Sequence, residues 1–346
     1  MAKTNVSRSA EIISFAMSVI VLFASTVSAE EPLMETLKKR FQSEPLTVGA
    51  LIQVVGIYES ADSAVVNNGF GLANFRVRLN GELDGGWGYF LQTSFIAGPA
   101  LLDANVRYRP WTAVRFDMGA LKAPFSAEFL LDAGSIDFVN RSQVVTLLAP
   151  GRQVGIAARG DVGMGFGYAV GAFNGNGLAI SNDDNHLMAA GRISYGHGFE
   201  NGGVTAGINA YQSNDTDAPI GAPITGDFIA GGFSGGRTAY GADARFTNRR
   251  WLATAEVIGS RYDPRGGSRV EPYGYQVTAG YEPTDRSQLL LRWDSFNGDG
   301  VVADSDLIIL GLNYFPTSPT EAQANVVIPT SGGRDVQLLF NVQVAF

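Results

Sequence analysis

Phe75-Arg76-Val77-Arg78-Leu79-Asn80 decides how the chain is read. Phe75, Val77 and Leu79 fall on one face of an extended segment, and Arg76, Arg78 and Asn80 fall on the other. Successive side chains of a strand point to opposite faces, so a strict period of two marks a half-apolar strand rather than a helix. Residues 102–109 repeat the pattern, with Leu102, Ala104, Val106 and Tyr108 set against Asp103, Asn105, Arg107 and Arg109. At the end of the chain Val336, Leu338, Phe340, Val342, Val344 and Phe346 alternate with Gln337, Leu339, Asn341, Gln343 and Ala345.

Working outward, sixteen such segments are legible, at about 46–60, 70–84, 87–96, 101–110, 113–122, 152–162, 165–175, 185–196, 202–213, 237–248, 250–262, 271–283, 287–297, 304–315, 320–329 and 335–346. Most are roughly ten residues or longer, the length a tilted strand needs to cross a bilayer. Short connectors such as Gly85-Gly86, Trp111-Thr112 and Gly163-Met164 alternate with long ones near 61–69, 123–151, 176–184 and 214–236. Short turns on one rim and long loops on the other are the outer-membrane barrel pattern. The expectation is an all-β fold, a 16-stranded antiparallel transmembrane β-barrel over 46–346, with its third loop folded inward. Only a closed sheet satisfies every backbone group in lipid.

Composition agrees. The chain has 346 residues, 43 Gly, 21 Phe and no Cys, and only 17% of its residues are charged. The absence of Cys excludes disulfides and thiolate metal sites. With His186 and His197 as the sole histidines, a His-rich centre is excluded and no cofactor is expected. The net charge of −8 argues against nucleic acid, which requires a basic footprint.

The first 29 residues read as an export signal: Lys3 and Arg8, an apolar run over 12–27, then Val27-Ser28-Ala29. Without them the charge is −9, from 23 basic and 32 acidic residues. Residues 30–45 read as a short N-terminal periplasmic segment, with Leu33, Leu37 and Phe41 on one helical face; a frayed linker is the alternative. An exported protein without Cys places the barrel in a Gram-negative outer membrane, with lipid as a partner.

One connector stands apart. Residues 123–151 are far longer than the neighbouring loops and carry Phe125, Phe129, Leu130, Leu131, Ile136, Phe138, Val144, Val145, Leu147 and Leu148. So apolar a loop should not stand in water. Folding into the barrel as a constriction is one reading; a plug or a subunit-packing loop is the other. Pro124 and Pro150 bracket its departure from the sheet, because Pro cannot donate to a central ladder.

The flanks of this loop carry a resemblance. Gly119-Ala120-Leu121-Lys122-Ala123-Pro124-Phe125 is followed by Phe138-Val139-Asn140-Arg141-Ser142 and then by Pro150-Gly151-Arg152-Gln153-Val154-Gly155. This order resembles the phosphate-selective porin O and P family, closely over about 119–160 and loosely over 46–346. The resemblance implies a sixteen-stranded, usually trimeric barrel conducting small anionic solutes. Phosphate-selective members carry several Lys along the channel, whereas Lys122 is the one Lys within the barrel region here. That supports an anion-leaning pore more than a phosphate pore.

A permeating anion needs fixed positive charge in a narrow low-dielectric passage. Alternation puts Arg76, Arg78, Arg107, Arg109, Arg115, Arg159, Arg192, Arg245 and Arg292 on the polar face. Arg76, Arg107, Arg115 and Arg159 are expected near mid-strand, and Lys122, Arg141 and Arg152 lie in or beside the long loop. These seven are the candidate ion-pathway residues. Asp103, Asp117, Asp161, Asp243 and Asp294 share the polar faces and are available to pair with them. Trp87, Trp111, Trp251, Tyr108, Phe116, Tyr195, Phe246 and Tyr281, near the short turns, read as an interfacial girdle. A Ser-His or Asp-His enzyme finds no support around His186 or His197, and Gly-x-Ser-x-Gly is absent. A structural or adhesive barrel with a blocked lumen is the alternative to a porin.

Overall fold

The computed structural model describes residues 42–43, 46–59, 68–179, 181–218, 232–300, 302–331 and 335–346. The expected export signal, most of the 30–45 segment and much of the 214–236 loop lie outside the described residues. Sixteen long strands form one sheet: β1 Leu46–Glu59, β2 Gly69–Glu82, β3 Trp87–Ser94, β4 Ala100–Trp111, β5 Val114–Lys122, β6 Arg152–Gly163, β7 Phe166–Phe173, β8 Met188–Phe199, β9 Gly202–Ala218, β10 Phe233–Asn248, β11 Trp251–Pro264, β12 Tyr273–Thr284, β13 Ser287–Gly298, β14 Val302–Thr317, β15 Thr320–Pro329 and β16 Gln337–Ala345. Each pairs antiparallel with the next. β16 returns to β1 with Gln343 opposite Gln53, so the sheet closes. Residues Gln42–Ser43 add a two-residue strand beside the start of β1.

Burial runs opposite to that of a water-soluble sheet. On β13, Leu291 and Trp293 are 49% and 37% exposed, while Arg292 between them is 2% exposed. On β12, Tyr273, Tyr275, Val277 and Tyr281 are exposed, while Gln276 and Thr278 are buried. An apolar belt facing out and a polar face turned inward is what a lipid solvent demands. Near the short turns, aromatic side chains meet across strands: Trp87 stacks on Tyr108 at 4.5 Å, and Trp251 lies 4.7 Å from Tyr281. These are the expected interfacial rings.

The belt makes a direct test. Leu291→Arg places a guanidinium in hydrocarbon and is expected to cost about 2–4 kcal/mol near the midplane. The measurement is a urea titration of the folded band on cold electrophoresis. An unchanged midpoint would mean that this face does not meet lipid.

Candidate functional site

The 123–151 loop is built to leave the sheet. Gly119, four residues before it, has φ +127°, and a Cβ there would lie 2.2 Å from the carbonyl oxygen of Ala104. Only glycine fits that position, which accounts for the first residue of the sequence motif. The loop then forms α1 Ala127–Leu130, a 3₁₀ turn at Ala133–Ser135 and α2 Gln143–Leu148. The Ser126 Oγ caps α1 by accepting the Phe129 amide at 3.0 Å. Gly151, at φ +75°, starts the return into β6.

The loop crosses the lumen and docks on the wall formed by β10–β16 and β1. Its apolar side does part of this. Phe125, Val144, Val145 and Leu148 join a buried cluster with Phe173, Tyr211, Ile258, Tyr262 and Phe296. Phe138 packs with Leu252, Leu290, Leu307, Ile309, Val327 and Leu339. Its backbone is then tied residue by residue. Gln53 Nε2 donates to the Ala133 carbonyl at 3.2 Å, Gln343 Nε2 to Gly134 at 2.9 Å and Gln323 Nε2 to Ile136 at 3.1 Å. Asn313 Nδ2 donates to Asp137 at 2.8 Å, and Asn325 Oδ1 accepts the Val139 amide at 2.8 Å. Asp294 accepts the Gln143 amide at 3.0 Å, and Glu256 accepts the Glu128 amide at 3.1 Å. Every bond of this set satisfies a loop group that would otherwise be stranded.

Glu128 is the centre of these ties. One oxygen accepts from Arg292 Nη2 at 2.8 Å; the other accepts the Ser142 amide at 3.0 Å and the Ser142 hydroxyl at 2.6 Å. It therefore joins α1, α2 and the opposite wall. Neither Glu128 nor Glu256 has a sequence signal for this role, because the partners lie 128 or more residues apart.

With the loop drawn to one side, the passage is left along β2–β6, where the seven candidate cations lie. They fall into two groups. Arg76, Lys122, Arg141 and Arg152 are electrostatic neighbours beside the loop, with Asp103, Asp132 and Glu128 as the nearby acids. Arg152 Nε binds Asp103 at 3.0 Å and its Nη2 reaches Gln92 at 3.2 Å. Lys122 Nζ donates to the carbonyls of Phe129, Leu130 and Leu131 at 2.9, 3.2 and 2.7 Å. Arg141 adds bonds to the Glu128 carbonyl at 3.1 Å and the Leu131 carbonyl at 2.6 Å. These two cations thus satisfy the free carbonyls at the end of α1 as well as charging the passage. Desolvation lowers the Arg141 pKa from the ordinary arginine value, with Glu128 opposing; arginine remains charged all the same.

The second group is Arg107, Arg115 and Arg159, nearer the short-turn rim. Arg115 faces Arg159 across the β5–β6 ladder, and Asp117 lies between them. Asp117 accepts from Arg115 Nε at 2.7 Å and contacts Arg159 Nε at 2.8 Å, the latter as an ion pair without hydrogen-bond alignment. Arg107 donates to Asn105 at 3.2 Å and lies 4.9 Å from the Phe90 ring centre. The expectation that Arg115 sits at mid-strand is corrected here. It is the second residue of a nine-residue strand, because the strand begins at Val114 directly after the short turn at 112–113.

Cavities on either side of the loop fix the narrow point. A cavity of about 760 Å³ on the long-loop side is lined by Phe129, Arg141 and Arg76. On the other side one is lined by Arg76, Arg78, Gln92 and Asp132, and another by Leu130, Arg115 and Arg159. Phe129 and Leu130 are consecutive and face different spaces, so α1 is the partition. Arg76 borders both spaces. Its Nε has no partner among the described residues. Several other polar-face arginines are paired: Arg78 with Asp132 at 3.5 Å, Arg192 with Asp243, Arg245 with Asp137 at 2.9 Å and Arg292 with Glu128.

The family model "Phosphate-selective porin O and P" matches residues 65–234, the span that holds both cation groups and the loop. The chain is an outer-membrane porin. Its barrel is similar to the anion-selective porin from Comamonas acidovorans, with TM-score 0.67 and 13% identity over 87% of this chain and 99% of that one. It is similar also to OprB of Pseudomonas putida, with TM-score 0.65 and 10% identity over 90% and 97%. The trimer form of OmpT from Vibrio cholerae matches with TM-score 0.62 and 10% identity over 87% and 99%. At such identities the likeness is one of fold. No curated protein matches the sequence. Family model and fold together point to a channel rather than an enzyme.

Proposed function

We propose that this porin passes small solutes by passive diffusion and prefers anions, with Arg76, Lys122, Arg141 and Arg152 setting the preference at the constriction and Arg107, Arg115 and Arg159 lining the exit. The observation that carries this reading is Arg76, whose side chain lines the spaces above and below the loop and forms no ion pair among the described residues. Around it Arg76, Lys122, Arg141 and Arg152 outnumber the nearby acids Asp103, Asp132 and Glu128, and Glu128 is already held by Arg292. Low-dielectric walls focus such a field on the permeating ion. Phosphate is not singled out, since one Lys lines this passage. The family match and the anion-selective neighbour support the same sign of charge.

The test is a KCl gradient across a planar bilayer holding the purified protein. A reversal potential of anionic sign is expected, shrinking as salt rises because the Debye length falls from about 10 Å at 0.1 M to about 3 Å at 1 M. A cationic sign would refute the preference. Absence of conductance steps would favour a structural barrel with a blocked lumen. Trimeric assembly, removal of residues 1–29 and a periplasmic 30–45 segment belong to the same proposal; native mass and the mature N-terminus are the corresponding measurements.

A further inference from the structure

The 760 Å³ cavity above the constriction is chemically two-sided. One side carries Arg76 and Arg141. Arg141 donates from Nε and Nη2 to loop carbonyls, and its Nη1 donates to no partner among the described residues. The other side is hydrocarbon: Phe138, Val139, Leu307, Ile309, Val327 and Leu339. Phe138 and Val139 of the loop cover most of this inward aliphatic surface, and its remaining edge lines the cavity. The polar residues Ser305, Asn325 and Asn341 also line this cavity. The one acid in the lining, Asp294, is committed to the Gln143 amide. The cavity thus offers two cations, from β2 and the loop, and an apolar shelf on β14–β16 edged by Ser305, Asn325 and Asn341.

We infer that this cavity selects organic anions with an apolar body, such as aromatic or alicyclic carboxylates, over small inorganic anions. The carboxylate meets Arg76 and Arg141, and the ring lies on the shelf of β14–β16 and Phe138. This rests on the anion preference proposed above and names the solute class that the preference serves. A site of mixed apolar lining with a few placed polar groups is the ordinary build of a small-molecule pocket. Inorganic phosphate would use the cations and leave the shelf wet.

The experiment compares block of the chloride current in planar bilayers by sodium benzoate, acetate and inorganic phosphate at equal ionic strength. Benzoate is expected to reach half-block at a concentration about tenfold below acetate, equivalent to about 1.4 kcal/mol. The double substitution Ile309→Thr with Val327→Thr keeps β-branched shape but wets the shelf. It is expected to raise the benzoate half-block about fivefold while leaving acetate block and the KCl reversal potential unchanged. Benzoate and acetate blocking alike in an anion-selective wild-type pore would overturn the inference and leave the anion preference standing. Equal benzoate block in wild type and the double variant would overturn it too. A cationic reversal potential would instead remove the reading beneath it. If the double variant does not assemble, the wild-type comparison decides alone.

Discussion

Replacing Arg76 by Glu is expected to lower the anion-to-cation permeability ratio by at least about tenfold, the largest selectivity change available from one residue. The substitution moves two units of charge at the place where the spaces above and below the loop meet. At an effective dielectric near 20, a unit charge about 4 Å from a permeating ion contributes roughly 4 kcal/mol, and a fraction of that swing suffices. Arg76 is also the cleanest position to change. Lys122 and Arg141 hold the end of α1, and Arg152 is bound to Asp103, so their removal would disturb the loop or free an acid. Arg159→Glu is expected to act more weakly, since Asp117 already offsets that group. Reversal potentials for both variants check the ranking. If Arg76→Glu left the potential where it was, or if Arg159→Glu moved it further, the constriction would have to lie elsewhere.

Excising residues 127–148 and bridging the ends with a short Gly linker is expected to raise single-channel conductance at least about twofold. The sixteen-strand ladder does not run through this segment, so the wall remains closed. What disappears is the partition carried by Phe129 and Leu130. One feature must be treated with it. Arg292 is 2% exposed and its carboxylate partner is Glu128, so excision alone would strand a buried cation. Removing one member of such a pair typically costs about 3–5 kcal/mol, whereas an apolar replacement of both is tolerated. The excision is therefore combined with Arg292→Met. A barrel that assembles with unaltered conductance would show that the loop does not narrow the pore.

The fold was legible because lipid and water impose a period of two on every strand, and the segments near 202–213 and 320–329 need no tertiary information to be seen. The loop was legible through its length and apolarity. The division of labour among the seven cations was not. Which arginine meets the constriction depends on the backbone at Gly119, the short β5 and the path of α1, none of which alternation encodes. Asp117 between Arg115 and Arg159 needs the β5–β6 register, and Glu128 with Arg292 needs a contact across 164 residues. Gln53, Gln323 and Gln343 look like ordinary wetted lumen residues in sequence; only closure turns them into loop ties.

That last point bears on the order of assembly. Gln53 belongs to the first long strand and Gln343 to the last. Their amides bond each other and hold adjacent carbonyls of the loop at Ala133 and Gly134. The two halves of this clasp are separated by almost the whole chain and come together only when the terminal strands zip. The turn at Ala133 and Gly134 is therefore the part of the loop whose fastening waits for the cylinder to seal.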